Sequence, residues 1–322
     1  MKLTTFILAL AIYGLFIATA TDAAKPKYKY KKPVPRNGTD VYQGSSFFDK
    51  FDFFTASDPT DGFVRYVNAD TARSNNLTFV KNDTIYVYSD HTNIAPKGRM
   101  SVRLSSKSKY NSGLFIFDIL HMPTGCGTWP AVWTFGDDWP NNGEIDIVEG
   151  VNNQAKNAMT LHTNAGCTMK MVELRESGTM VNANCDVGKS DQGCSVTDKR
   201  TSSYGTRFNE NEGGVFAVRW SSSGIQVWFF PRNSIPQDII DGTPKPTSWS
   251  LPSADFPFKS CTPSYFRGHR IVVDNTFCGD WAGDTFSEMC PGKGSCANYV
   301  KNNPHAFKEA YWAFRSFKVY KV

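Results

Sequence analysis

From Phe47 to the C-terminus, apolar and polar residues alternate in short runs rather than recurring every three to four positions. The runs Thr84–Ser89, Met100–Ser105, Gly113–Ile119, Val215–Trp220, Ile225–Phe230, Arg270–Asp274 and Tyr311–Val319 predict β-strands, because a period of two places alternate side chains on one buried face. Clusters of Gly, Pro, Asn and Ser separate them, the punctuation of an antiparallel sandwich. Ser221-Ser222-Ser223-Gly224 sits between two of the runs and predicts a hairpin connection. Gly113–Ile119 is almost wholly apolar, so it is expected at the centre of a sheet, covered on both faces. The expected fold class is all-β. A chain of 322 residues can bury a substantial core in one large domain, and neither an internal repeat nor a second hydrophobic pattern after a linker is visible.

One segment breaks the alternation. Gly143-Glu144-Ile145-Asp146-Ile147-Val148-Glu149-Gly150 places three carboxylates within six positions. In a regular strand Glu144, Asp146 and position 148 would share a face, and Glu149 would point away. A β-bulge in Ile147-Val148 would return Glu149 to the face of the other two acids. Unpaired carboxylates are costly to bury, so that face is expected to line a binding cleft. There Glu144 and Glu149 could approach the roughly 5–5.5 Å separation of a double-displacement glycosidase. Asp146, between them, would split their proton affinities by its charge and by hydrogen bonding. An ordinary solvent-facing strand is the alternative; the apolar Ile145, Ile147 and Val148 and the bracketing glycines argue against it.

Sugar rings offer apolar faces edged with hydroxyls, which flat aromatic side chains recognise well. Trp129, Trp133 and Trp139 precede Glu144 closely, and Trp281 lies in the loop-like Cys278-Gly279-Asp280-Trp281-Ala282-Gly283-Asp284. Trp139 and Trp281 are expected to stack on sugar, whereas Trp133 is divided between core and cleft. If Gly150–Lys156 is a hairpin connection, His162 follows on the strand beside the acids.

The ends and the cysteines bear on destination. Met1-Lys2-Leu3, the apolar run Phe6–Ala18 and Ala18-Thr19-Ala20 have the three parts of a secretion signal over residues 1–20, in a run short for a membrane anchor. Residues 21–43 read as a basic, disordered arm, with six basic residues and no acidic one between Lys25 and Arg36. The net charge of +5 therefore sits at the N-terminus, and residues from 37 onward are near neutral, which argues against a nucleic-acid partner. No membrane partner is expected either. Asn37, Asn76 and Asn82 are N-glycosylation acceptors of an exported chain. Eight cysteines, all beyond residue 125, predict disulfides, with 105 possible pairings left open and no Cys-x-x-Cys zinc spacing.

The segments Gly125-Cys126-Gly127-Thr128-Trp129-Pro130-Ala131-Val132-Trp133 and Trp139-Pro140-Asn141-Asn142-Gly143-Glu144-Ile145-Asp146-Ile147-Val148-Glu149-Gly150-Val151-Asn152 resemble the active-site region of glycoside hydrolase family 16. The Glu-x-Asp-x-x-Glu spacing is the bulged form of that family's motif, most like the fungal laminarinase-like endo-1,3(4)-β-glucanases. The resemblance implies a β-jelly-roll sandwich of two antiparallel sheets over residues 44–322, with a concave substrate cleft. It implies a secreted, retaining endo-glucanase with Glu144 as nucleophile, Glu149 as acid/base and Asp146 assisting. It further implies substrate contacts from Trp139, Trp281 and His162, with Trp133 and Asn152 as further candidates, and β-glucan as the partner; the chemistry itself requires no metal or other cofactor. A transglycosylase using the same acids and a silent glucan-binding lectin are the alternatives, and a monomer is expected.

Overall fold

The computed structural model describes residues 38–189 and 192–321. The expected signal at 1–20, most of the expected arm and the acceptor Asn37 lie outside the described residues.

Two eight-stranded antiparallel sheets dominate. The first runs, in spatial order, Thr179–Asn182, Cys194–Thr197, Ala158–His162, Glu144–Glu149, Thr128–Gly136, His269–Phe277, Leu104–Ser106 and Phe51–Phe53. The second runs Ala254–Pro257, Gly224–Pro231, Gly214–Ser221, Gly113–His121, Tyr311–Tyr320, Thr84–Tyr88 and Thr78–Lys81, with Thr39–Gln43 also paired to Tyr311–Tyr320. The inner strands pack apolar side chains of one face against the opposite sheet. Ile145, Val132, Val273 and Leu161 from the first meet Phe117, Phe216, Phe229, Phe314 and Phe317 from the second in one core. Gly113–His121 is central, and residues 113–119 are all buried, as its unbroken apolar run predicts. Ser222 and Ser223 form the expected hairpin turn.

Three features depart from the sequence reading. Residues 39–43, expected to belong to the arm, are a strand instead, because Tyr42 is buried against Phe51 and its hydroxyl meets that of Tyr110 at 2.6 Å. The run Met100–Ser105 is two strands. Arg99–Ser101 pairs in parallel with Val64–Tyr66, while Leu104–Ser106 joins the acid-bearing sheet, and Arg103 stands at the break. The third departure is the glycine-rich stretch after Cys278, which is helical rather than loose. A π-helix at Gly279–Gly283 leads to short helices at Phe286–Met289 and Cys296–Asn302, packed in a second core of Phe277, Phe286, Val300 and Phe307. Segments of four to seven residues show no helical period of their own; tertiary packing makes them helices. The buried Arg99 guanidinium donates to the carbonyls of Asp90, Asn93 and Val300, tying this region to the sandwich.

All eight cysteines are paired, as Cys126–Cys290, Cys167–Cys261, Cys185–Cys194 and Cys278–Cys296. The first and last staple the helical region that carries Trp281. No described helix is long and apolar enough to cross a membrane.

Candidate active site

The strand Glu144–Glu149 is bulged where the sequence requires it. Glu144 lies opposite Phe135 and Asp146 opposite Trp133, but Val148 then faces Val132 and Glu149 faces Ala131, so Ile147 is the extra residue. Ile147 and Val148 are both buried in the core, and Glu149 returns to the side of Glu144 and Asp146. A bulge frees backbone polar groups, and Asn157 meets them. Its amide nitrogen donates to the Ile147 carbonyl at 2.7 Å, and its amide oxygen accepts the Glu149 N–H at 3.0 Å. Asn157 is fully buried, so these bonds have no competition from water. Gly150 follows because Tyr204 packs close: a Cβ there would lie 2.8 Å from the Tyr204 ring.

The acid face is ordered in rows across the sheet. His162, Glu144, Phe135 and Arg270 form one, and Thr160, Asp146, Trp133 and Val272 the next. Ala158, Glu149, Ala131 and Asp274 form the third. His162 thus stands beside Glu144, as the hairpin reading predicts, with its Nε2 3.2 Å from Asp146 Oδ2. Glu144, Asp146 and His162 each bring a donor atom within 4.8 Å of the others, a set able to hold a cation.

The two glutamates have different surroundings. Trp139, 49% exposed, donates its indole N–H to Glu144 at 2.6 Å. Trp129 donates to Glu149 at 2.9 Å and meets Trp281 edge to face at 5.7 Å. Part of Glu149 faces the opening, yet its carboxyl is ringed by protein. Burial, above all, pushes it up to about 7; Trp129 and His162 pull against that rise, and Glu144 and Asp274 add to it. Asp146 is held well above the usual carboxylate range, by burial first and then by the charges of Glu144 and Glu149. Three acids in one trough cannot all ionise cheaply, so protons are retained at neutral pH.

The expected aromatic residues divide. Trp139 and Trp281 are accessible beside the two glutamates, and Trp133 lies half-buried on the acid face rather than in the core, its ring stacked on Phe135 at 5.1 Å. Asn152 requires correction as a substrate contact. At φ +53° it turns inward and is 3% exposed; its amide accepts from Gly127 N–H and donates to Ala282 O and Thr285 Oγ1. It fixes the Trp281 helix to the strand before it. Sequence reasoning also missed Trp129 as a partner of Glu149, although its i, i+4 spacing from Trp133 in a strand puts both on one face. Asn157, Asp274 and Arg103 gave no such signal.

Comparison with known proteins agrees with this geometry. A probable glycosidase of Schizosaccharomyces pombe is 45% identical over 94% of this chain and 73% of its own length. An endo-1,3(4)-β-glucanase of Arthroderma benhamiae is 45% identical over 88% of this chain, which spans 64% of that relative and half or less of several from Aspergillus. Laminarinase 16A of Phanerochaete chrysosporium, solved with 6-O-glucosyl-laminaritriose in donor and acceptor sites, superposes with a TM-score of 0.84 at 44% identity, over 88% of this chain and 98% of that one. The description "XgeA-like, catalytic GH16 domain" matches residues 51–320, most of the chain, and the protein therefore belongs to glycoside hydrolase family 16.

Proposed function

We propose that the protein is a secreted endo-glycosidase that cleaves β-1,3 linkages in glucans, with mixed β-1,3-1,4 chains as further substrates, and retains anomeric configuration. The observation that carries this reading is the bulge that sets Glu149 on the face of Glu144 and Asp146. Glu144 attacks the anomeric carbon while Glu149, protonated below about pH 7, gives its proton to the departing glycosidic oxygen. The first step forms a carbon–oxygen bond between sugar and Glu144 and breaks the glycosidic bond. Glu149, now a carboxylate, takes a proton from water, whose oxygen displaces Glu144 and restores the β configuration. Asp146, poised between Glu144 and His162, exchanges hydrogen bonds with the nucleophile as its charge changes, and itself forms no bond to sugar. The indole N–H groups of Trp139 and Trp129 orient the two glutamates, and the rings of Trp139, Trp281 and Trp133 offer faces for sugar.

Export agrees with the N-terminal signal pattern, and with Asn76 and Asn82, which are exposed and fit to carry glycans. Proton NMR of laminarin hydrolysis tests the mechanism. The first-formed reducing ends should be β, mutarotating to α; α ends first would refute a double displacement. A panel of laminarin, lichenan, barley glucan and agarose then fixes the linkage.

Transfer to sugar instead of water is a second reading. It is favoured by a likeness to an elongating GH16 β-1,3-glucosyltransferase, TM-score 0.82 at 41% identity over 88% of this chain. Laminarin oligomers that lengthen, rather than only shorten, would select it.

A further inference from the structure

Beside the triad lies a charged cluster that the proposed chemistry does not use. Ala131 pairs with Glu149 on one side and with Asp274 on the other, so two carboxylates flank one methyl group and lean over the same position. Asp274 is 6% exposed and Arg103 7%, with Arg103 Nε 3.8 Å from Asp274 Oδ2. The Arg103 guanidinium lies against the ring of Phe54 at 4.6 Å and that of Trp133 at 4.9 Å, and its Nε has no hydrogen-bond partner. The Trp133 side chain lies close to Asp274 and lowers its proton affinity. A guanidinium so buried, with one long ion pair, is a poor core element. Laid between aromatic rings on the acid face, it is a reasonable floor for a hydroxyl-rich ligand.

We propose that Asp274 is a positioning residue of the glucan site: it holds the Arg103 guanidinium against the Trp133 ring as a floor for sugar, and sets its own charge beside Glu149. The inference rests on the acid/base role given to Glu149 above. The charged and titratable groups around Asp274 come from every neighbouring element. They are Arg103 at the strand break, Asp58 in the loop held by Thr276 Oγ1 at 2.5 Å, Tyr66, and Glu144, Asp146 and Glu149 across the sheet. Burial pushes Asp274 up to about 7, with Asp58 and Glu144 adding to the rise and Arg103 and Trp133 opposing it. When ionised, it raises the proton affinity of Glu149.

Two variants separate the parts of the role. Asp274→Asn keeps an acceptor for Arg103 and removes the charge. Because that charge favours protonated Glu149, its loss should move the alkaline limb of kcat/KM on laminarin oligosaccharides to lower pH, by about half a unit. Asp274→Leu removes acceptor and charge together and should raise KM roughly tenfold, with Asp274→Asn recovering most of that loss. A merely structural residue would lower the melting temperature without moving the limb. An Asp274→Asn limb coincident with the native one overturns the proposal, and it decides alone if the leucine variant fails to fold. An unchanged KM in a folded Asp274→Leu protein also overturns it. Glu149→Gln run in parallel isolates the underlying reading: native turnover and a native limb in that variant would sink the acid/base role itself.

Discussion

The two halves of the strand Glu144–Glu149 are similar in composition and different in construction. In the first, Glu144-Ile145-Asp146, pairing is regular on both sides, and alternation alone puts the acids on one face. In the second, Ile147-Val148-Glu149, pairing slips by one residue and an asparagine from the next loop holds the slip. Glu144, on the regular half, is held from outside by the exposed Trp139; Glu149, on the bulged half, is held from within by Trp129, Asn157 and the packing of Tyr204. Two glutamates five positions apart thereby acquire different partners. In the proposed mechanism, the backbone irregularity is what allows one carboxyl to act as nucleophile and the other to keep a proton.

The comparison breaks most severely at its regular half. Glu144→Gln should cut laminarin turnover on the order of 10⁴-fold or more, with binding of laminari-oligosaccharides, read by calorimetry, largely retained. At the bulged half, Asn157→Leu leaves a buried carbonyl and a buried N–H without partners. A loss of about 2–4 kcal/mol of stability by denaturant titration is expected. The kcat should fall at least roughly tenfold as Glu149 loses its aim; a stable variant with native kcat would show that the bulge holds itself.

Glu149→Gln sharpens the contrast through pH. A carboxyl whose folded-state value is raised to about 7 contributes stability at low pH, and that contribution is lost as pH rises through 7. Replacing it with an uncharged amide should therefore leave stability at pH 4 nearly unchanged and raise it by about 1–3 kcal/mol at pH 8. Equal melting temperatures of the two proteins at pH 8 would count against a protonated Glu149. Further out, Cys278→Ser with Cys296→Ser opens the staple under the Trp281 helix and should cost about 2–4 kcal/mol of stability, together with a higher KM. The smallest effect is expected at Trp139→Ala. A several-fold rise in KM would reflect lost stacking and a freer Glu144, worth about 1 kcal/mol.

How much of this was legible in the sequence follows the same division. Period-two alternation disclosed the sandwich and the regular half of the triad strand, and the spacing of Glu149 disclosed that a residue had to be added. What fills the added space was not legible, because Asn157 reaches the bulge only through the return of a loop. Asp274 belongs to an apolar-polar alternation that any half-buried strand would show, and its meeting with Arg103 depends on a strand break that the run Met100–Ser105 hides. Asn152 misled for the opposite reason. It adjoins the motif in sequence, but a left-handed backbone turns its amide away from the acid face and into the loop packing.

The account stands most directly on the protonation of Glu149. Carbon-13 NMR of glutamate-labelled protein, with the Glu149 signal identified by its absence in Glu149→Gln, reads that carboxyl through a pH titration. A midpoint near 7 is expected; a midpoint near the ordinary glutamate value of about 4.3 would contradict the claim that the bulged half of the strand keeps its proton.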